Sequence, residues 1–175
     1  MIVIVSKRAR AQQKKLALTH LVIDVTSTSD NATFRKFSPS CPHTPGIIVP
    51  GMPGVMSASV EGIWQGLKVF DKEGVDTSKF RVTNMKGLKR PANERRGQVQ
   101  GHRFGDINVD YLSARKEIFI PSYTYKLDHY LQDELALLNG LLQEGNKLML
   151  IDYETDSHAQ LIKDTLLTWP TRHQD

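Results

Sequence analysis

Ser57-Ala58-Ser59-Val60-Glu61-Gly62-Ile63-Trp64-Gln65-Gly66-Leu67-Lys68-Val69-Phe70 is the stretch whose reading decides the fold. At about 100° per residue, Val60, Ile63, Trp64, Leu67 and Phe70 fall on one apolar arc, the pattern of an amphipathic helix with one face in the core. The serines ahead of Val60 supply N-cap chemistry, and a long Pro/Gly loop precedes them. Glu61, Gln65 and Lys68 cluster beside the arc, on the side bordered by Trp64. A carboxylate, an amide and an ammonium on one edge of a core helix fit the wall of a ligand pocket, and equally the polar border of any half-buried helix.

Around this stretch the 175 residues carry 39% hydrophobic and 24% charged side chains, which predicts one soluble globular domain over residues 1–175. No apolar run approaches the roughly 20 residues of a membrane span. Met1-Ile2-Val3-Ile4-Val5 is too short for a secretory signal, and its charges follow the apolar run instead of preceding it. Cys41 is the only cysteine, so no internal disulfide forms and a cytoplasmic setting is the default. A formal net charge of +4 suits an anionic partner, nucleic acid included, and equally suits simple surface solvation.

Working outward, Ile2–Val5, Leu18–Val25, Ile47–Val49, Phe80–Thr83, Ile107–Val109, Glu117–Ile120 and Lys147–Asp152 read as short strands. Residues 7–16 form a basic helix that faces either a phosphate or solvent, and residues 26–31 are turn and cap chemistry. Tyr123–Glu144 reads as one long helix stopped by Gly145, and Ser157–Leu167 as the last helix. The sum is an α+β fold with helices packed around a few short strands. Five prolines between Pro39 and Pro53 mark a long binding-type loop; its Cys41 and His43 lack the further ligands a zinc site needs. Lys86–Arg103 is basic and punctuated by Gly97 and Gly101, without the Gly-Lys-[Ser/Thr] of a P-loop. It reads as an anion-holding segment or a flexible charged loop. Asp152, Glu154 and Asp156 at a strand terminus suit catalysis, sugar hydroxyls or capping.

Glu61, Trp64, Gln65, Gly66 and Lys68 together resemble the signature of the NADAR/YbiA-like family, in which a Glu is followed by an aromatic, Gln, a small residue and Lys at this spacing. Phe37-Ser38-Pro39-Ser40 stands where that family has its Phe-Ser loop. Gly101-His102-Arg103 is similar to its basic Gly-Arg element, and residues 152–156 to its late acidic segment. The resemblance spans roughly residues 34 to 165. The chain departs from the family at Gly62, where a His is usual, and at Ser157-His158, where a Trp-Gly pair is usual; the closing Gly-Asn-x-x-Gly is missing. The whole chain also resembles a group of bacterial and phage proteins that share the string from Ser59 to Lys68.

The resemblance implies a YbiA-like α+β fold and an N-glycosidase that hydrolyses the C–N bond of an ADP-ribose-type or ribosyl-phosphate conjugate, ADP-ribosylated nucleobase or DNA included. Glu61 would stabilise an oxocarbenium-like centre or activate water. Lys68 would keep Glu61 ionised or bind phosphate, and Asp156 or Glu154 would act as second acid/base or hold ribose hydroxyls. Trp64, Gln65, His102, Phe37 and Ser38 would contact substrate, while Arg95, Arg96 and Arg103 clamp a diphosphate. The scheme uses no metal and no cofactor. Two rival readings use the same residues: a non-catalytic ADP-ribose or nucleic-acid binding module, and a phage or bacterial regulator working through protein contacts.

Overall fold

In a computed structural model that describes residues 1–155 and 157–172, short strands alternate with helices in the expected α+β manner. The first half runs β1 (Ile2–Ser6), α1 (Arg10–Leu16), β2 (Leu21–Asp24), α2 (Ala32–Arg35), β3 (Ile47–Ile48), β4 (Met56–Ser57), α3 (Val60–Leu67), β5 (Lys68–Phe70) and a 3-10 turn at Thr77–Arg81. The second runs β6 (Val99–Phe104), β7 (Ile107–Val109), α4 (Tyr111–Ala114), a π-helical segment at Arg115–Phe119, α5 (Ile120–Tyr130), α6 (Gln132–Gln143), β8 (Leu148–Asp152), α7 (His158–Leu167) and α8 (Trp169–Arg172). The chain divides into two compact units, Met1–Ser38 with Leu127–Asp175, and Pro39–Lys126.

The first unit is built on a parallel sheet in the order β1-β8-β2. Every residue of β8 is buried, as a central parallel strand covered on both faces requires. On one face Val5, Met149 and Ile151 pack with Val3, Ala9 and Leu16, so α1 covers it. On the other, Asp152 shares the parity of Leu148 and Leu150 and accepts the Ala159 N–H of α7 at 3.2 Å.

The second unit is organised by α3. Ser59 caps it, its Oγ accepting the Gly62 N–H at 2.9 Å. Gly62 and Gly66, one turn apart, form a bare strip against which the 3-10 turn lies. A Cβ at Gly62 would stand 2.7 Å from the Lys79 carbonyl oxygen, and one at Gly66 2.7 Å from Phe80 Cε1. That contact is why Gly62 occupies a position where a histidine has no room.

The helix is shorter than its periodicity predicts. It ends at Leu67; Lys68 is extended (φ −61°, ψ 127°) and opens β5, which pairs antiparallel with β6 through Lys68↔His102 and Val69↔Gly101. The Gln65 and Lys68 carbonyls accept from Arg90 Nη1 at 2.7 Å each, so a side chain satisfies the helix terminus and frees Val69 and Phe70 for the sheet. Phe70 is buried as the arc requires, but on a strand.

Three further expectations are corrected. Phe80 belongs to the 3-10 turn, which Asp76 caps by accepting the Ser78 N–H at 3.1 Å, and not to a strand. Residues 117–120 are helical: Pro121 has no N–H to give the carbonyl four residues back, and the widened π turn just before it absorbs the missing bond. The helix expected over residues 123–144 is two, α5 and α6, broken at Leu131 (φ −123°, ψ 21°), where Gln132 Nε2 bonds the Leu127 carbonyl at 3.0 Å.

Two glycine substitutions separate packing from propensity. Gly66→Ala drives a methyl into the Phe80 ring and is expected to cost about 1–3 kcal/mol. Gly140→Ala, in α6 with open space around its Cβ, is expected to gain roughly 0.5–1 kcal/mol. Chemical denaturation of the two variants checks this, and a Gly66→Ala protein as stable as the parent contradicts the tight approach of the 3-10 turn.

Candidate functional site

Within the second unit, α3, β5, β6 and the π segment bring the polar edge of α3 together with new neighbours. Glu61 lies in the first turn of α3, half-buried, and its Oε1 accepts from Gln65 Nε2 at 2.8 Å. Gln65 is buried, and its Oε1 accepts the Arg90 main-chain N–H at 3.0 Å. Both ends of this amide are therefore engaged within the protein, which corrects its expected role as a substrate contact.

Lys68, predicted on the helix edge beside Glu61, stands instead on β5, in register with His102 of β6, so the two side chains share one sheet face. Lys68 is half-buried, and its ammonium makes no hydrogen bond or ion pair among the described residues. Burial lowers the pKa of its ammonium, partly opposed by the nearby Glu61 charge. His102 is 4% exposed, and its ring stacks on Trp64 at 3.9 Å between centroids, tilted by 36°. Neither ring nitrogen has a hydrogen-bond partner among the described residues. Burial, reinforced by the Lys68 charge, pushes its pKa down to about 4; the Trp64 main chain, near the ring but outside hydrogen-bonding geometry, offsets only part of this. His102 is thus a neutral imidazole at pH 7.

Trp64 also packs in T-shaped contacts with Tyr111 and Phe119, each 6.0 Å away between centroids and near perpendicular. Phe119 stacks on Tyr123 at 5.9 Å, and the Arg115 guanidinium lies 4.5 Å from the Phe119 ring centroid. Glu61, Trp64, Lys68 and His102 thus converge, and Tyr111, Arg115 and Phe119 join them. The last three were readable as an every-fourth-residue series running on to Tyr123, which the π turn keeps on one helix face. Chemically the group offers a carboxylate with one oxygen free, a neutral imidazole, a half-desolvated ammonium and an aromatic wall.

The remaining candidates lie elsewhere. Arg103 follows His102 on β6, so it projects from the opposite face, where Nε bonds Asn108 Oδ1 at 2.7 Å. Arg95 and Arg96 stand 3.8 and 3.5 Å from Glu73, the carboxylate that Arg90 holds at 2.8 Å. The hydrogen bond from Arg90, more than its charge, keeps the Glu73 carboxyl below the usual range. The three arginines expected to clamp a diphosphate are therefore divided between two places. Phe37 and Ser38, both buried, and the exposed Glu154 belong to the first unit; Asp156 lies outside the described residues.

In the first unit Asp152 is sealed rather than presented. Its Oδ2 stands 3.2 Å from His158 Nδ1, while His158 Nε2 bonds the Val25 carbonyl at 2.9 Å, and burial raises the Asp152 carboxyl to about 6. Lys7 gives its ammonium to Asp24, Thr26 and Thr28 at 2.8, 3.0 and 2.6 Å, so it is engaged within the protein while staying partly exposed. An open cleft of about 330 Å³, lined by residues 17–21 and 145–147, shares no residue with the Trp64 group. Among the described residues no three His, Cys, Asp or Glu side chains gather as metal ligands, and none of the helices is long and apolar enough to cross a membrane.

The depressed pKa of His102 has a linked consequence. Between about pH 6.5 and pH 4 the unfolded chain takes up this proton and the folded chain does not, so His102 subtracts stability as pH falls through that window. Nitrogen-15 NMR of the imidazole is expected to give a midpoint near 4, and Lys68→Met to raise it by removing the neighbouring charge. A midpoint of 6 or above in the parent protein contradicts the buried, stacked geometry.

Comparison with known proteins gives one result. A family model described as a family of unknown function (DUF6939) matches residues 6–167, a span that crosses both units. No curated protein and no solved structure matches the chain. With nearly its whole length covered by that model, the chain belongs to the DUF6939 family.

Proposed function

We propose that the protein is an N-glycosidase that hydrolyses the C–N glycosidic bond of an ADP-ribose-type or ribosyl-phosphate conjugate, with Glu61 as the catalytic carboxylate. The observation that carries the reading is the arrangement at Glu61. One oxygen is held by the Gln65 amide and the other has no hydrogen-bond partner among the described residues, and Lys68 and His102 share a sheet face beside Trp64, the next aromatic on the same helix. The resemblance of the Glu61–Lys68 string to the NADAR/YbiA-like signature points the same way.

Cleavage of such a bond builds positive charge at the anomeric carbon and the ring oxygen. The free Glu61 oxygen stabilises that charge and takes a proton from the attacking water. The water oxygen bonds the anomeric carbon, the C–N pair leaves with the base nitrogen, and that nitrogen takes a proton from solvent, to which Glu61 returns the one it removed. Lys68, whose ammonium lies near enough to Glu61 for the two charges to act on one another, carries the cation for a phosphate oxygen. His102, neutral and buried against Trp64, backs the aromatic wall without adding a second positive charge. Trp64, half-buried, presents an aromatic edge to the base. Its partners are a nucleotide-like or ADP-ribosyl substrate, free or within nucleic acid, and its setting is the cytoplasm, where a lone Cys41 stays reduced.

Glu61→Gln is expected to retain the fold, with the helix cap at Ser59 untouched, and to lose at least about a hundredfold in kcat on ADP-ribosylated guanine or a riboside 5′-phosphate. Release of free base, followed by chromatography, is the assay. A Glu61→Gln protein that works at the parental rate removes Glu61 from the mechanism. A parent protein that binds ADP-ribose with a thermal shift but releases no base supports the binding-module reading instead.

A further inference from the structure

Gln65 sits between two groups that can each do only one thing. The Arg90 main-chain N–H only donates, and the ionised Glu61 carboxylate only accepts. With Oε1 taking the Arg90 N–H at 3.0 Å, Nε2 must face Glu61, where it donates at 2.8 Å. Turning the amide over would set donor against donor at one end and acceptor against acceptor at the other. The orientation therefore depends on Arg90 staying in place, and its guanidinium ensures that. Nε and Nη2 grip Glu73 Oε1 at 3.2 and 2.8 Å, Nη2 also bonds the Gly74 carbonyl at 2.8 Å, and Nη1 bonds the Gln65 and Lys68 carbonyls at 2.7 Å.

We propose that Gln65 and Arg90 are positioning residues: Arg90 fixes the Gln65 amide in the one orientation that ties down Glu61 Oε1, and this presents Oε2 to substrate. The inference deepens the glycosidase reading and rests on it for the identity of the reaction, but the relay itself is a property of the folded chain. It also links the basic segment 86–96 to the carboxylate, because Arg90 anchors that segment and its N–H sets the amide.

Gln65→Glu is the discriminating variant. A glutamate keeps the shape and still accepts the Arg90 N–H, but when ionised it cannot donate to Glu61. Gln65→Leu removes both contacts. On the full-length protein, carbon-13 NMR of the side-chain carboxylates and nitrogen-15 NMR of the backbone read the relay without any substrate. In Gln65→Glu the Arg90 amide resonance is expected to hold its position while the Glu61 carboxyl resonance moves. In Gln65→Leu both are expected to move. Turnover of a riboside 5′-phosphate by Gln65→Glu is expected to show kcat reduced about ten- to a hundredfold with KM changed less than about threefold, the split of a misoriented catalytic group. A Glu61 resonance unmoved in both folded variants overturns the relay, whether or not the parent protein turns over substrate. A moved resonance supports it even if the parent releases no base, an outcome that would instead count against the glycosidase reading.

Discussion

The second unit depends on how one guanidinium is buried. Arg90 has a fully buried side chain and spends all five of its N–H groups, on Glu73, on the carbonyls of Gln65, Lys68 and Gly74, while its plane lies 4.8 Å from the Phe70 ring centroid. A charge this far from water is tolerable only when an opposite charge and hydrogen bonds replace its hydration, and both are present. Lysine has three donors and no plane, so it could not make the same set of contacts. From this single group follow the end of α3, the start of β5, the Phe70–Gly74 turn and the anchoring of the basic segment.

The end of α3 is what turns a helix edge into a site. Were the helix to continue, Lys68 would sit seven residues beyond Glu61 and about 10 Å along the axis, on the same edge but a long reach from it. Switching to a strand at Lys68 instead sets that side chain across from His102 and brings β6 against Trp64. The sequence pattern of α3 and the sheet pattern of β5 overlap in the same string of apolar residues. The carbonyl acceptors of Arg90 decide where one stops and the other starts.

This explains which features were legible. The strands of the first unit announce themselves as β-branched runs, and the N-terminal half of α3 through its cap and its arc, because both are local patterns. Glu61, Trp64, Lys68 and His102 were legible as chemistry, and they do converge. The C-terminal boundary of α3 was not, because the residue that sets it lies 22 positions beyond Lys68, in a segment that reads only as basic. Arg90, Arg95 and Arg96 look alike in sequence, yet the first is fully buried while Arg95 is mostly exposed. Gly62 and Gly66 are weak helix formers inside the expected helix, and the approach of the Lys79 carbonyl and Phe80 gives them a reason. The helical run from Tyr111 was masked by Pro121, which reads as a strand end, and its one sequence signature was the every-fourth-residue spacing of Tyr111, Arg115 and Phe119.

The charge balance of the site then follows from burial. Glu61 and Lys68 are each half-buried and near enough for their charges to act on one another, so together they approach neutrality. A proton on His102 would add a second cation where neither ring nitrogen has a hydrogen-bond partner among the described residues, beside Lys68 and within the influence of Arg90. Desolvation and these two charges act in the same direction, and the imidazole stays neutral. For the proposed cleavage, which would develop positive charge close to Glu61, this matters: a charged His102 would oppose that charge, whereas a neutral one leaves the carboxylate as the dominant local field. Stacking His102 on Trp64, out of water, therefore keeps a second cation from forming beside Lys68 and Glu61.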